Sequence, residues 1–149
     1  MARQVQLTRY SDYSLRVLIY LASDPDQLVT IEDIARSYDI SKAHLMKVVH
    51  QLGLRGYLET VRGRRGGLRL ARRPEEIRVG DVIRSTEENM ALVECFDPAS
   101  SQCVIEPLCG LRPVVQEALT AFLTVLDRYT LADLVARRRK PLARLLEIT

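Results

Sequence analysis

Apolar residues recur at helical spacing in three early segments. From about Ser11 to Ala22, Leu15, Leu18, Ile19 and Ala22 form one stripe, and Asp24-Pro25-Asp26 closes it because proline drives its predecessor out of the helical region. Ile31, Ile34, Ala35 and Tyr38 mark a short second helix, with Thr30 as its N-cap and Asp33 three residues on as a short-chain capping box. After Asp39-Ile40, Ser41 is placed to cap a third helix with core stripe Leu45, Val48, Val49 and Leu52, which Gly56 can close. Two short helices so closely joined have the spacing of a helix-turn-helix, or of an ordinary helical hairpin. In the first case the second helix reads a major groove from Ser41, Lys42, Ala43, His44, Lys47 and Gln51, opposite the core stripe.

The period then changes to two. Tyr57 to Val61 is a β-prone run, Arg62 to Gly67 is a glycine turn, and Leu68-Arg69-Leu70 alternates, which predicts a hairpin. Directly after a helix-turn-helix, such a hairpin is a wing, and arginines at its tip can enter a narrow minor groove. A further short helix is expected over Val79 to Glu88, and a polar loop from about Asn89 to Gly110. Pro113 suits the first turn of a last long helix. That helix carries Val115, Leu119, Phe122, Leu126 and Tyr129 at spacings of four and three, a coiled-coil-like seam. A second copy of the chain would bury the seam, and Val114, Ala118 and Val125 widen it enough to pack on its own domain as well. Thr130 with Asp133 starts another short helix, and Pro141 is expected to interrupt the tail beyond it.

These readings predict a mainly α fold with a small β-hairpin wing: a winged helix-turn-helix over residues 1–88, a cysteine-bearing loop over 89–110, and a dimerisation helix with a tail over 111–149. The length of 149 residues suits one domain with an appended arm, and 47% apolar and 28% charged residues exclude a disordered chain. No apolar run approaches the roughly 18 residues of a spanning helix, and Met1 to Thr8 lacks a signal-peptide core. A cytoplasmic protein with no membrane partner is therefore expected. The net charge of +3 says little, but its distribution does. Six arginines (Arg62, Arg64, Arg65, Arg69, Arg72, Arg73) and no acidic residue lie between Val61 and Pro74, a candidate phosphate-binding surface for duplex DNA. The second basic run, Arg137 to Lys140, reads as a solvated helix end.

Three cysteines, Cys95, Cys103 and Cys109, fall within the one loop. The odd number argues against a secreted disulfide framework, and the absence of a Cys-x2-Cys pair argues against a common zinc site. Both histidines, His44 and His50, lie on the third helix, away from this loop. Spacing alone leaves an iron-sulfur cluster, a thiol switch, and zinc or inert burial all open.

The chain resembles the bacterial winged-helix regulators that include the nitric-oxide-sensing NsrR-like repressors, IscR and RirA. The resemblance rests on Leu7-Thr8-Arg9-Tyr10-Ser11-Asp12-Tyr13-Ser14-Leu15-Arg16, the run Ser41 to Val49, Val61 to Leu70, the cysteine triplet, and Leu123 to Val135. It implies a homodimeric DNA-binding repressor with Cys95, Cys103 and Cys109 as ligands of an iron-sulfur cluster, 4Fe-4S rather than 2Fe-2S. In the NsrR-like branch nitric oxide destroys the cluster and releases DNA. There the fourth ligand can be the aspartate of the N-terminal motif, given by the other subunit, which is Asp12 here. IscR-like proteins have a histidine three residues after the last cysteine, where this chain has Arg112. The seven-residue gap between Cys95 and Cys103 resembles RirA, so an iron-responsive or thiol-redox regulator is the alternative. Nothing points to an enzyme: there is no P-loop, no nucleophile elbow, and no carboxylate or histidine constellation beside the cysteines.

Overall fold

The computed structural model describes residues 5–99 and 101–148; Met1 to Gln4, on which the signal-peptide reading partly rests, lie outside the described residues. Among the described residues, seven α-helices and one two-stranded hairpin follow in the order α1 (Arg9–Ser23), α2 (Ile31–Tyr38), α3 (Lys42–Leu54), β1 (Leu58–Val61), β2 (Gly67–Leu70), α4 (Val79–Thr86), α5 (Leu111–Asp127), α6 (Leu131–Val135) and α7 (Arg139–Leu145). The fold is mainly helical with a small β-hairpin wing, as the pattern predicts.

Local chemistry sets the helix ends. Thr30 Oγ1 accepts the Asp33 N–H at 3.1 Å while the Asp33 carboxylate accepts the Thr30 N–H at 3.0 Å, so both arms of the capping box form. The Thr30 backbone N–H holds the Asp33 carboxyl below its ordinary value. Asp39 closes α2 in the left-handed region at φ 54°, and Ser41 Oγ caps α3 through the His44 N–H at 3.3 Å. Gly56, at φ 80°, turns the chain out of α3 and into the hairpin.

Strands β1 and β2 pair antiparallel, Leu58 opposite Leu70 and Val61 opposite Gly67. Val29 adds a bridge to Leu68, so the hairpin is sewn to the connection between α1 and α2. A β-carbon on Gly67 would lie 2.7 Å from the Val29 carbonyl oxygen, which makes glycine a requirement of that contact. The core stripe of α3 (Leu45, Val48, Val49, Leu52) is buried against Val17, Leu18 and Leu21 of α1, Ile34 of α2, and Leu58 and Leu68 of the hairpin. Alternation in the strands and the 3.6 period in the helices thus bury one shared core.

α4 packs against both α1 and α5. A β-carbon on Gly80 would fall 1.8 Å from Asp127 Oδ1, and Arg84 grips that same carboxylate at 2.6 and 2.8 Å. The chain then returns to its beginning. Leu131 and Val135 of α6 are buried in the core around α1, and beyond α7 Leu146 joins it. There the Ser37 hydroxyl donates to the Leu146 carbonyl at 2.6 Å, across 109 residues of sequence.

Pro141 does not interrupt the tail. It is the third residue of α7, where its missing N–H would have no partner within the helix. Arg139 Nε reaches the Ser23 carbonyl at 3.4 Å, placing a cation at the negative end of α1. α1 begins two residues before the predicted Ser11, because Thr8 caps it through the Ser11 N–H. α4 stops at Thr86, short of the predicted Glu88.

Candidate nucleic-acid interface and cysteine loop

The face of α3 turned from the core carries Ser41, Lys42, Ala43, His44 and Lys47, all exposed. Lys42 forms an ion pair with Glu32 of α2, which holds the Glu32 carboxyl below its ordinary value. His44 lies 6.3 Å, ring to ring, from Tyr13 of α1, and the Arg16 guanidinium stands 5.6 Å from the Tyr13 ring. Tyr38 completes this corner: its hydroxyl donates to the Arg16 carbonyl at 2.8 Å, and burial pushes the phenol up to about 12. The sequence pattern places Tyr38 only in the core stripe of the second helix and Tyr13 and Arg16 only in the N-terminal motif; that they meet beside His44 depends on the packing of α1 on α2 and α3, which spacing does not show.

Five of the six wing arginines divide by role. Arg69 is tied across the strands to Glu59 at 2.6 Å, and Arg72 lies 5.1 Å from the Tyr57 ring and reaches the Arg55 carbonyl at 3.4 Å. Arg62, Arg64 and Arg65 stand exposed at the tip, with no acidic partner among the described residues. Unpaired guanidinium groups on a rigid hairpin beside an exposed polar helix face can take up phosphate oxygens.

The loop between α4 and α5 holds Cys95, buried, and Cys103 and Cys109, half-buried; all three thiols are free. Cys95 sits on one short 3-10 turn (Glu94–Phe96) and Cys109 just after another (Glu106–Leu108). Their soft sulfur chemistry and lack of a disulfide fit an iron-sulfur cluster. In the single chain the described residues bring no three His, Cys, Asp or Glu side chains together at a metal-holding distance. Asp12 lies in the first turn of α1, gripped at both oxygens by Arg16 at 3.0 and 3.1 Å.

The predicted dimer seam is shared between two faces of α5. Leu119 is buried against its own chain, and Val115 and Leu126 are half-buried, whereas Phe122 and Tyr129 remain exposed. With Leu111, Val114 and Val125, also exposed, Phe122 forms an apolar stripe along α5 that Tyr129 continues just beyond its end.

A winged helix-turn-helix with a bare basic wing tip, continued by a long helix, has the form of a DNA-binding regulator of transcription. The profile of the Rrf2 family, described as iron-dependent transcriptional regulators, matches residues 7–137. The chain belongs to the Rrf2 family. A relative in Bacillus subtilis (strain 168), the HTH-type transcriptional regulator NsrR, is 56% identical over 135 residues, covering 90% of this chain and 92% of that protein. Among solved structures, CymR (YrzC), the global cysteine regulator of B. subtilis, is 28% identical with a TM-score of 0.74, covering 89% of this chain and 98% of that one. IscR of T. potens is 26% identical with a TM-score of 0.72, over 89% of this chain and 87% of that one. No helix among the described residues is long and apolar enough to cross a membrane.

Proposed function

We propose that this chain is a cytoplasmic, homodimeric transcriptional repressor that holds an iron-sulfur cluster, 4Fe-4S in type, and releases its operator when nitric oxide attacks that cluster. The observation that carries the reading is the placement of three free thiols in the one loop that joins the winged domain to the long helix. The resemblance to NsrR-like repressors adds to it. Residues 1–88 read DNA, 89–110 hold the cluster, and α5 within 111–149 pairs the subunits. Ser41, Lys42, Ala43, His44 and Lys47 face the major groove, and Arg62, Arg64 and Arg65 bind phosphate or the minor groove. Val115, Phe122, Leu126 and Tyr129 belong to the seam between copies, and Leu119, already buried in its own chain, supports that seam from beneath.

Cys95, Cys103 and Cys109 would hold the cluster, and Asp12 of the other subunit would take the fourth position, giving up its bond to Arg16. The cluster supplies an iron centre that reacts with nitric oxide. The test is an anaerobic preparation of the wild type and of each cysteine-to-alanine variant, followed by absorbance and by binding to a duplex selected from a random pool. We expect the wild type to show cluster absorbance that nitric oxide bleaches as DNA is released. Cysteine variants that keep the same cluster and the same release would overturn the reading. Because Cys103 and Cys109 are half-buried and free, a thiol switch is the second reading. It requires DNA release on thiol oxidation without any cluster.

A further inference from the structure

Helix α4 touches three moving parts of the proposed switch: α1, α5 and the stem of the cysteine loop, which begins where α4 ends. At that end the Glu87 N–H is bonded to the Ile83 carbonyl at 2.9 Å, so its side chain starts from fixed backbone. Three hydrogens from the start of α1 converge on the Glu87 carboxylate: the Thr8 N–H at 3.1 Å, the Thr8 hydroxyl at 2.5 Å, and the Ser11 hydroxyl. Beside them the buried Thr86 hydroxyl lies 2.7 Å from Ser11 Oγ and 2.9 Å from the Val82 carbonyl; with the Ser11 hydrogen given to Glu87, Thr86 is the donor of the Ser11–Thr86 bond. The N-terminus of α1 is therefore capped twice, by Thr8 at its N-cap and by the Glu87 carboxylate just past the end of α4, which the positive end of the helix dipole favours.

The position of this clasp gives it a use. Asp12 is the residue after Ser11, and the residues after Glu87 lead to Cys95. Glu87, Leu92 and Val93 of the stem, with Leu7, Leu119 and Phe122, line a cavity of ≈ 750 Å³, so the stem, the residues before α1 and α5 meet beside the clasp. α1 also packs on the recognition helix α3. We propose that Glu87 is a positioning residue: its carboxylate fastens the first turn of α1 to the stem of the cysteine loop, so that a change in the loop's packing is carried into α1 and on to α3. The proposal deepens the functional reading above and rests on it for what changes the loop.

Two variants test it, Glu87→Ala, which removes the acceptor, and Ser11→Ala, which removes one donor with little change of shape. Hydrogen exchange of the amides of residues 9–12 is measured in the protein without cluster. Affinity for one selected duplex is measured for cluster-loaded and nitric-oxide-treated protein. We expect exchange at least about tenfold faster in Glu87→Ala, a smaller increase in Ser11→Ala, and a loaded-to-treated affinity ratio that falls toward one in the same order. Unchanged exchange would overturn the clasp, and faster exchange with an unchanged ratio would overturn the coupling. A wild type whose affinity ignores the cluster would instead sink the functional reading, and that result needs no variant. If Glu87→Ala does not fold, Ser11→Ala alone decides, because its two readouts must still move together.

Discussion

The wing turn and the cysteine loop are both irregular segments between regular elements, but they are specified in different ways. The wing turn is closed by its own backbone: the Gly66 N–H bonds to the Gly63 carbonyl at 3.0 Å, Val61 pairs with Gly67, and Val29 braces Leu68. The cysteine loop is held by short 3-10 turns and side-chain bonds such as Gln102 N–H to Glu94 at 3.0 Å, and it leaves Val104 and Leu108 more than 90% exposed. A segment that presents fixed charge benefits from a frame it supplies itself. One that answers a signal, as proposed for the cysteine loop, must be able to change its packing, and weak local fastening gives it that freedom.

The sharpest way to break this contrast is Gly66→Ala. A β-carbon there would lie 2.0 Å from the Val61 carbonyl oxygen, a backbone atom that cannot step aside. We expect a loss of about 3 kcal/mol in denaturant unfolding, with the wing amides exchanging fastest. Next in size is the removal of charge from the intact frame. Replacing Arg62, Arg64 and Arg65 together by alanine should weaken binding to every duplex at least about a hundredfold at physiological salt and lower the salt slope by about 5, since a homodimer loses all three in each subunit. Thermal stability should stay put, and fluorescence anisotropy over a salt series checks both expectations.

A smaller effect belongs to the helix-turn-helix corner. The folded value of Tyr38 is raised, to about 12, so its stabilisation is complete below the ordinary value near 10 and is lost as pH rises through 12. The wild type should lose about 1–2 kcal/mol more than Tyr38→Phe between those limits, read as the difference between two denaturation series. The smallest effect is expected in the cysteine loop. Gly110 has φ −77° with open space where a β-carbon would go, so Gly110→Ala should change stability by no more than about 0.5 kcal/mol. A loss there as large as that of Gly66→Ala would erase the distinction between the two segments.

Features written within a few residues could be read from the chain alone. The Thr30 and Asp33 capping box, the Ser41 cap, the α3 stripe and the glycine hairpin each follow from spacing, and each forms. What could not be read depends on contacts between distant residues. Nothing near Glu87 in sequence announces Thr8, 79 residues away, and nothing near Leu146 announces Ser37. Pro141 misled for a related reason: the rule that proline breaks a helix depends on where the helix starts, and here the tail docked on α1 and α2 starts a helix just before it. The splitting of five of these arginines into tip and brace likewise depends on Glu59 and Tyr57, which only the hairpin register and the turn at Gly56 bring near.

The bond between Ser37 and Leu146 also has a consequence in time. The core of the DNA-reading domain includes Leu131, Val135 and Leu146, so it cannot close while only the wing and the helices before it have left the ribosome. At about 5–20 residues per second, the stretch from the recognition helix to Leu146 takes roughly 5–20 s to synthesise. For that interval a nascent chain holds α3 without its full core, and the grip on DNA proposed for this chain waits for its distant tail.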